Sequence, residues 1–410
     1  MDSIPAGVHA PVTMDSVFRR GEPPLQTDGS RMHRLGSRHI PLAILVLLCV
    51  AEPAICQAQD SKLAPPKHAQ IEAAILRFMA STHVPGLSVA VVENGEFEWA
   101  QGFGFADLEN NVPASEQTLF RLASVSKPLT AVAAMQLWER GRLDLDAPVQ
   151  KYCPAFPEKP WAISTRQVLG HLAGIRHYKS AAQDDREVGN TKHSDDPIEA
   201  GLNFFKDDPL LAQPGTSFHY STHGYTLVGC VIEGASGGKY VDLMRQNVLS
   251  PAGMEQTQVD DRFAIIPYRT RFYDKTESGA VRNADFLDSS YKIPGGGWLS
   301  SAEDMARFEV AILNDRLIRR GTRDLMWNPL KPTDGSKDDY ALGWGWREGK
   351  DQDVAAVGHS GGQQGTSTAL LIAPEKRAGV VVLGNMEGQP VGDLAREILN
   401  ILVAAPAAKP

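Results

Sequence analysis

Ser124 and Lys127 stand three residues apart in LFRLASVSKPLTAVAAMQLWERG (119–141), where Leu129 to Leu137 carries only Thr130 and Gln136 as polar residues. A helix apolar nearly all round is a buried helix. The pattern therefore predicts a core helix with Ser124 at its start, Lys127 one turn later on the same face, and Gly141 as its stop. A serine hydroxyl is a poor nucleophile until a neighbouring base takes its proton. A lysine amine can be that base when burial lowers its pKa toward neutrality, and a helix N-terminus favours negative charge developing on the serine. The spacing alone is not distinctive, because it recurs at Ser236/Lys239 and Ser289/Lys292. Serine at a helix start is commonly a plain N-cap, and helical lysine is commonly solvated. Ser236 runs into Gly237-Gly238, which belong to a helix end, and Ser289 runs into Pro294 and three glycines. Only Ser124 opens a long buried helix.

Two further stretches carry candidate chemistry. FHYSTHGYTLVGCVIE places Tyr220 on a short loop ahead of a helix, and GHSGGQQGTSTALLIA places His359-Ser360-Gly361-Gly362 on an inner strand. Gly358 to Gly362 also satisfies G-x-S-x-G, the nucleophile elbow of α/β-hydrolases. That elbow needs a histidine after the serine and a helix behind it, whereas His359 is the last histidine and strand follows. The pentapeptide also resembles the G-D-S-G-G of trypsin-like proteases, but a long buried helix does not suit their double β-barrel. His219 and His223 are spaced like metal ligands, without a carboxylate at fitting spacing. His171, in VLGHLAGI, reads as structural. No metal site and no cofactor are expected.

Taken in order, S-x-x-K, Y-S-x and H-S-G-G resemble the three signature motifs of class C β-lactamases, D-Ala-D-Ala carboxypeptidases and related esterases, the serine β-lactamase-related family. VLGHLAGI (168–175), PGGGWLSSAEDMARF (294–308) and YALGWGW (340–346) extend the resemblance over about 66–405. VQKYCPAFPEK, GIRHYKS, NFFKDDPLLAQPG, RTRFY and DSSYKIPGGGWLS are similar to the mitochondrial serine β-lactamase-like proteins of animals, a protease-like, filament-forming branch. The resemblance implies that Ser124 is acylated, that Lys127 is its proton acceptor or pKa modulator, and that Tyr220 is the acid/base for the leaving group. It puts His359 in place of the lysine of K-T-G, and it makes an oxyanion hole from the backbone N–H groups of Ser124 and Gly362, with Ser360 and Gly361 beside the substrate. Thr222 stands where Y-x-N enzymes carry a substrate-contacting asparagine, a departure that argues against true β-lactam turnover. The activity implied is serine hydrolysis through an acyl-enzyme on peptide amide or ester bonds, with a small peptide, ester or β-lactam-like substrate and with self-association. The competing readings are a true β-lactamase and a non-catalytic, filament-forming scaffold.

The elements that must position these residues are legible in outline. The 410 residues, 42% of them hydrophobic, suffice for one large two-lobed domain. A net charge of −8 and a pI near 5.8 argue against a nucleic-acid partner. Ile71, Ile75, Phe78 and Met79 make an amphipathic helix over 69–81. LSVAVVE and EFEWAQGFG flank Asn94-Gly95, a hairpin signal. STALLIA and AGVVVLGN pair at the far end, before a helix at about 391–404 with Leu394, Ile398 and Leu402 on one face. The fold expected is α+β, β-lactamase/transpeptidase-like: one antiparallel sheet from both termini with flanking helices, and a mainly helical subdomain inserted at about 125–330. Residues 179–200 read as a polar surface loop.

Residues 1–31 read as disordered or as a mis-assigned upstream start. MHRLGSRH, the apolar run IPLAILVLLCVA and Cys56-Gln57-Ala58 read as a signal peptide over 32–58, with 59–65 a linker. A periplasmic or secreted protein starting near Gln59 follows, or a membrane-anchored one if the leader stays uncleaved. Cys153 and Cys230 remain after cleavage; two cysteines are not a framework, and Cys230, in YTLVGCVIE, reads as a buried core thiol.

Overall fold

The computed structural model describes residues 61–179, 193–336, 339–349 and 353–404; the leader and linker expectations for 1–60 lie outside them, apart from the linker's last residues. The chain opens with helix α1 (Pro65–Thr82), which starts on a proline pair suited to a helix's first turn. Strands β1 (Gly86–Glu93) and β2 (Glu96–Asp107) follow. Asn94 and Gly95 both take positive φ between them, as a tight two-residue hairpin turn requires. Strand β3 (Val112–Pro113) ends this edge. The C-terminal part supplies β9 (Gly345–Arg347), β10 (Ala356–Gln363), β11 (Thr366–Ala373) and β12 (Ala378–Gly384). The resulting seven-stranded sheet has the order β3-β2-β1-β12-β11-β10-β9. The first and last strands of the chain meet at its centre, with Val89 opposite Val382.

Both faces of this sheet are covered, and strand alternation divides the core in two. Leu87, Val89 and Val91 with Val380 and Val382 face α1 and the C-terminal helix. Ala90 and Val92 with Val381 and Leu383 face the helical lobe. That lobe is built on α2 (Ser126–Glu139), in which Ser126 through Leu137 are all buried. Around it lie α3 (Thr165–Leu169), α4 (Pro197–Leu202), α5 (Thr222–Ser236), α6 (Ile293–Gly296) and α7 (Ala302–Leu313). The C-terminal helix α8 (Val391–Val403) completes the outer layer. Serines cap where the sequence needs them: Ser164 makes a capping box with Gln167, and Ser221 and Ser301 cap α5 and α7.

Three expectations change. The insertion is mainly helical but also carries strands: β5 (Gln258–Val259) and β8 (Trp298–Ser300) form one small sheet with β4 (Phe120–Arg121), which lies just ahead of the insertion, and β6 (Tyr273–Lys275) with β7 (Val281–Asn283) forms another. In the segment read as a loop over 179–200, residues 180–192 lie outside the described residues, and the last residues enter α4, capped by Asp196. Cys230 is not a free thiol: it is bonded to Cys153 across a sequence separation of 77, which ties the 149–153 turn to α5. A helical stretch hides such pairing, because partner choice depends on which distant segment packs alongside.

Candidate active site

Ser124 sits in a 3-10 turn, Ala123–Val125, that leads directly into α2. Its side chain caps nothing. Ala123 is forced to φ 47, a left-handed conformation that costs an ordinary residue about 1–2 kcal/mol. The turn is pressed against β10: a Cβ on Gly361 would lie 2.5 Å from the Leu122 carbonyl and 3.0 Å from the Ser124 amide nitrogen. Glycine at 361 is what lets the strand and the serine's backbone come together. Gly362 has no such neighbour and faces open space.

Lys127 is fully enclosed, and its Nζ meets three oxygens: Ser124 Oγ at 2.9 Å, the Gly295 carbonyl at 2.9 Å and Thr222 Oγ1 at 3.2 Å. Burial first, and the charge of Lys292 second, hold this amine well below the ordinary lysine pKa. Tyr220, on the loop before α5, donates its hydroxyl to Ser124 Oγ at 2.8 Å. Burial pushes the phenol up to about 12, partly offset by its bonds to Ser124 and Thr222. Tyr220 is therefore protonated at neutral pH and acts as a donor. Tyr220 donates to Ser124 Oγ, and the lowered pKa of Lys127 favours the amine form whose lone pair accepts the serine's proton.

Two histidines hold the Tyr220 loop. His171 Nδ1 accepts from the Ser221 amide at 3.2 Å while its carbonyl accepts from the His219 amide at 2.8 Å. Its ring lies 4.4 Å from that of Tyr220. His177 Nδ1 accepts from the Thr222 amide at 3.2 Å. His219 precedes the helix and bonds Ser217, and His223 stacks on Phe205, so the pair spaced like metal ligands does not share a helical face.

His359 behaves differently from a K-T-G lysine. Its Nδ1–H donates to the Ser360 carbonyl at 2.6 Å, which leaves Nε2 to accept from the Tyr340 hydroxyl at 2.9 Å. Burial, with the Lys127 charge second, lowers it to about 3, so it carries no charge at neutral pH. Among the described residues neither ring nitrogen bonds Ser124 or Tyr220. Thr222 also departs from expectation: it is buried with its hydroxyl on Lys127. Ser360 and Gly362 are exposed on β10, and residues His359 to Gly362 line, with Tyr220 and Tyr340, a cleft of about 1050 Å³.

Ser124 and Lys127 from one segment and Tyr220 from another are thus brought together about the serine hydroxyl, and Thr222, two residues after Tyr220, joins them at Lys127. Sequence reasoning did not single out Gly295, Tyr340, Ala123 or His177 as parts of the site. Gly295 and Tyr340 lie in PGGGWLSSAEDMARF and YALGWGW, but nothing in their types says that one carbonyl holds a lysine or that one phenol holds a histidine. Lys292 belongs to the S-x-x-K at 289–292, whose serine opens no long helix.

Comparison with known proteins agrees with this architecture. Human "Serine beta-lactamase-like protein LACTB, mitochondrial" is 33% identical over 379 residues, covering 71% of this chain and 69% of that protein. The octameric penicillin-binding protein homologue from Pyrococcus abyssi superimposes with a TM-score of 0.71 at 26% identity, covering 82% of this chain and 77% of the other. The D-amino acid amidase from Ochrobactrum anthropi SV3 shares the fold, with a TM-score of 0.70 at 22% identity over 82% of this chain and 98% of its own. The Beta-lactamase family model matches residues 71–405, and the chain belongs to that family of serine hydrolases.

Proposed function

We propose that this protein hydrolyses amide or ester bonds of small peptide-like substrates through an acyl-enzyme on Ser124. The observation that carries this reading is the position of Ser124 Oγ, 2.9 Å from an enclosed lysine amine and 2.8 Å from a protonated phenol. Lys127 takes the serine proton as Oγ attacks the carbonyl carbon. The negative charge on the carbonyl oxygen is met by the backbone N–H groups of Ser124 and Gly362. As the tetrahedral adduct collapses, Tyr220 donates its proton to the leaving nitrogen or oxygen, and the protonated Lys127 restores the Tyr220 proton by way of the Thr222 hydroxyl that both contact. Water then repeats the sequence on the ester, releasing the acid and restoring the Ser124 hydroxyl.

The roles of His359, Ser360 and Thr222 are narrower in this scheme. His359, tied to Tyr340, shapes the wall of the cleft; Ser360 presents a hydroxyl to substrate; and Thr222 orients Lys127. With threonine in place of an amide side chain, β-lactam turnover is the less favoured activity. The octameric relative supports self-association as a companion property. Residues 32–58 are proposed to export the chain, and the Cys153–Cys230 bond suits passage through an oxidising compartment. Among the described residues no helix is long and apolar enough to cross a membrane.

The test is the nucleophile. A fluorophosphonate probe is expected to leave its adduct on the peptide containing FRLASVSK, to lose it in Ser124→Ala, and to keep it in Ser360→Ala. An adduct on Ser360 would reinstate the elbow mechanism, and no adduct on folded protein would leave the scaffold.

A further inference from the structure

Strand β11 carries two buried threonines, Thr366 and Thr368, whose two-residue spacing puts them on one face. Their hydroxyls reach out of the sheet to the segment that runs into the Ser124 turn. Thr366 Oγ1 lies 3.0 Å from the Arg121 carbonyl and 2.9 Å from that of Gly384, and Thr368 Oγ1 donates to the Leu122 carbonyl at 2.8 Å. In return the Arg121 guanidinium donates to the Gln364 carbonyl, between β10 and β11, at 3.0 Å. The Leu122 carbonyl is the one that closes the turn bearing the serine, since it also accepts from the Val125 amide at 3.1 Å. Thr368 stands opposite Gly361 in the β10–β11 register. A Cβ on Gly361 would lie 2.4 Å from Thr368 Oγ1, so the glycine leaves the room in which that hydroxyl meets Leu122.

We propose, resting on the acyl-enzyme reading with Ser124 and Gly362 as oxyanion donors, that Thr368 is a positioning residue for acylation: its hydroxyl fastens the Ser124 turn to β10 and so sets the gap between the two backbone N–H groups. Oγ1 is 2.8 Å from the Leu122 carbonyl, two residues ahead of Ser124, and 3.5 Å from the Gly361 carbonyl, immediately ahead of Gly362. Thr368 is fully buried, so it acts through these two backbone segments and not on the substrate. Between Leu122 and Ser124 lies Ala123 with its left-handed φ of 47. Such a conformation persists only where the surroundings over-determine it, and the grip on Leu122 is one of the contacts that do so. Two donors stabilise a developing oxyanion only when both reach the same oxygen. A small drift of the turn from β10 is therefore felt in the transition state more than in substrate binding.

The experiment compares the full chain with Thr368→Val, which keeps the shape and loses the hydroxyl, and Thr368→Ser, which keeps the hydroxyl. The probe is p-nitrophenyl cinnamate, whose conjugated acyl group leaves serine slowly enough for the acyl-enzyme to be observed. Pre-steady-state kinetics give the acylation rate and the Kd of the ester, and Raman spectroscopy gives the carbonyl stretch of the cinnamoyl-enzyme. Thr368→Val is expected to slow acylation about 30-fold with Kd unchanged, and to move the carbonyl band to higher frequency as its hydrogen bonds weaken. Thr368→Ser is expected to restore both. A lowered melting temperature with an unmoved rate and band would make Thr368 merely structural, a raised Kd with an unmoved rate would make it part of substrate binding, and equal losses in both variants would acquit the hydroxyl. Each of these overturns the proposal. Should Thr368→Val fail to melt cooperatively, Thr368→Ala takes its place. The underlying reading fails separately: acylation that persists in Ser124→Ala sinks the nucleophile, and a wild-type carbonyl band at the frequency of the free ester in water sinks the oxyanion donors. A shifted wild-type band that Thr368→Val leaves in place sinks only the role of Thr368.

Discussion

Removing either of the two groups on Ser124 Oγ should have unequal consequences, because the lysine and the tyrosine do different proton work. Lys127 receives the proton at attack, so Lys127→Met is expected to slow acylation by several orders of magnitude with every substrate. Tyr220 holds its proton up to about 12 and is needed chiefly when the leaving group must be protonated. Tyr220→Phe should therefore retain acylation by activated aryl esters and lose it with amides. The acidic limb of the wild-type pH profile should belong to Lys127 and not to a histidine, since His359 sits at about 3 and His171 is also lowered. Rates with an activated ester and an anilide, measured for each variant, check this; equal, small losses with both leaving groups would point to another base.

At the level of elements, the site depends on a helix, a strand and a loop that each pay nothing to local propensity. The turn before α2 contains a left-handed alanine, and β10 must be glycine at 361 to lie against it. A similar close approach occurs beneath the sheet, where Glu309 of α7 packs against β12: a Cβ on Gly379 would lie 2.3 Å from its Oε2. Burial raises the Glu309 carboxyl well above the usual 4.5. The sign follows from linkage: the folded chain keeps this proton longer than the unfolded one, so its stability is intact below 4.5 and is lost as pH rises toward the folded pKa. The loss runs at about 1.4 kcal/mol per pH unit over that interval. Glu309→Gln should therefore melt higher than the wild type at pH 8 and no higher at about pH 4. A gain of the same size at both pH values would show that ionisation is not the cause.

Across the whole molecule, the sheet joins the two ends of the described chain while the disulfide joins two parts of the helical lobe. Residues 149–153 and α5 are far apart in sequence, and the bond closes a loop across a separation of 77. Restricting the unfolded chain over such a loop contributes about 4 kcal/mol. Since α5 begins beside Tyr220, loosening it should reach the site as well. Protein isolated from its native host is expected to begin near Gln59 and to show Cys153 and Cys230 joined on non-reducing peptide mapping. Reduction, or Cys153→Ser with Cys230→Ser, should lower stability by about that amount. An intact Met1 or Met32 on soluble native protein, or two free thiols, would defeat the export proposal.

Sequence by itself determined the parts whose signal is local. The buried α2 announced itself by having almost no polar residue, the hairpin by Asn94-Gly95, and the end strands and C-terminal helix by their periodicity. The order of motifs carried the family, and with it Ser124, Lys127 and Tyr220, which the fold then sets within hydrogen-bonding distance. Tertiary structure alone decided how the remaining groups act. Whether His359 faces the serine or Tyr340, whether Thr222 faces substrate or Lys127, and which cysteine finds which partner all depend on contacts between distant segments. The clearest case is Thr368: within STALLIA it reads only as a strand residue. Its hold on the Ser124 turn exists only because β11 packs against the segment that leads into α2. A side chain's partners and charge state are set by what encloses it, and enclosure is a property of packing that residue type and spacing do not contain.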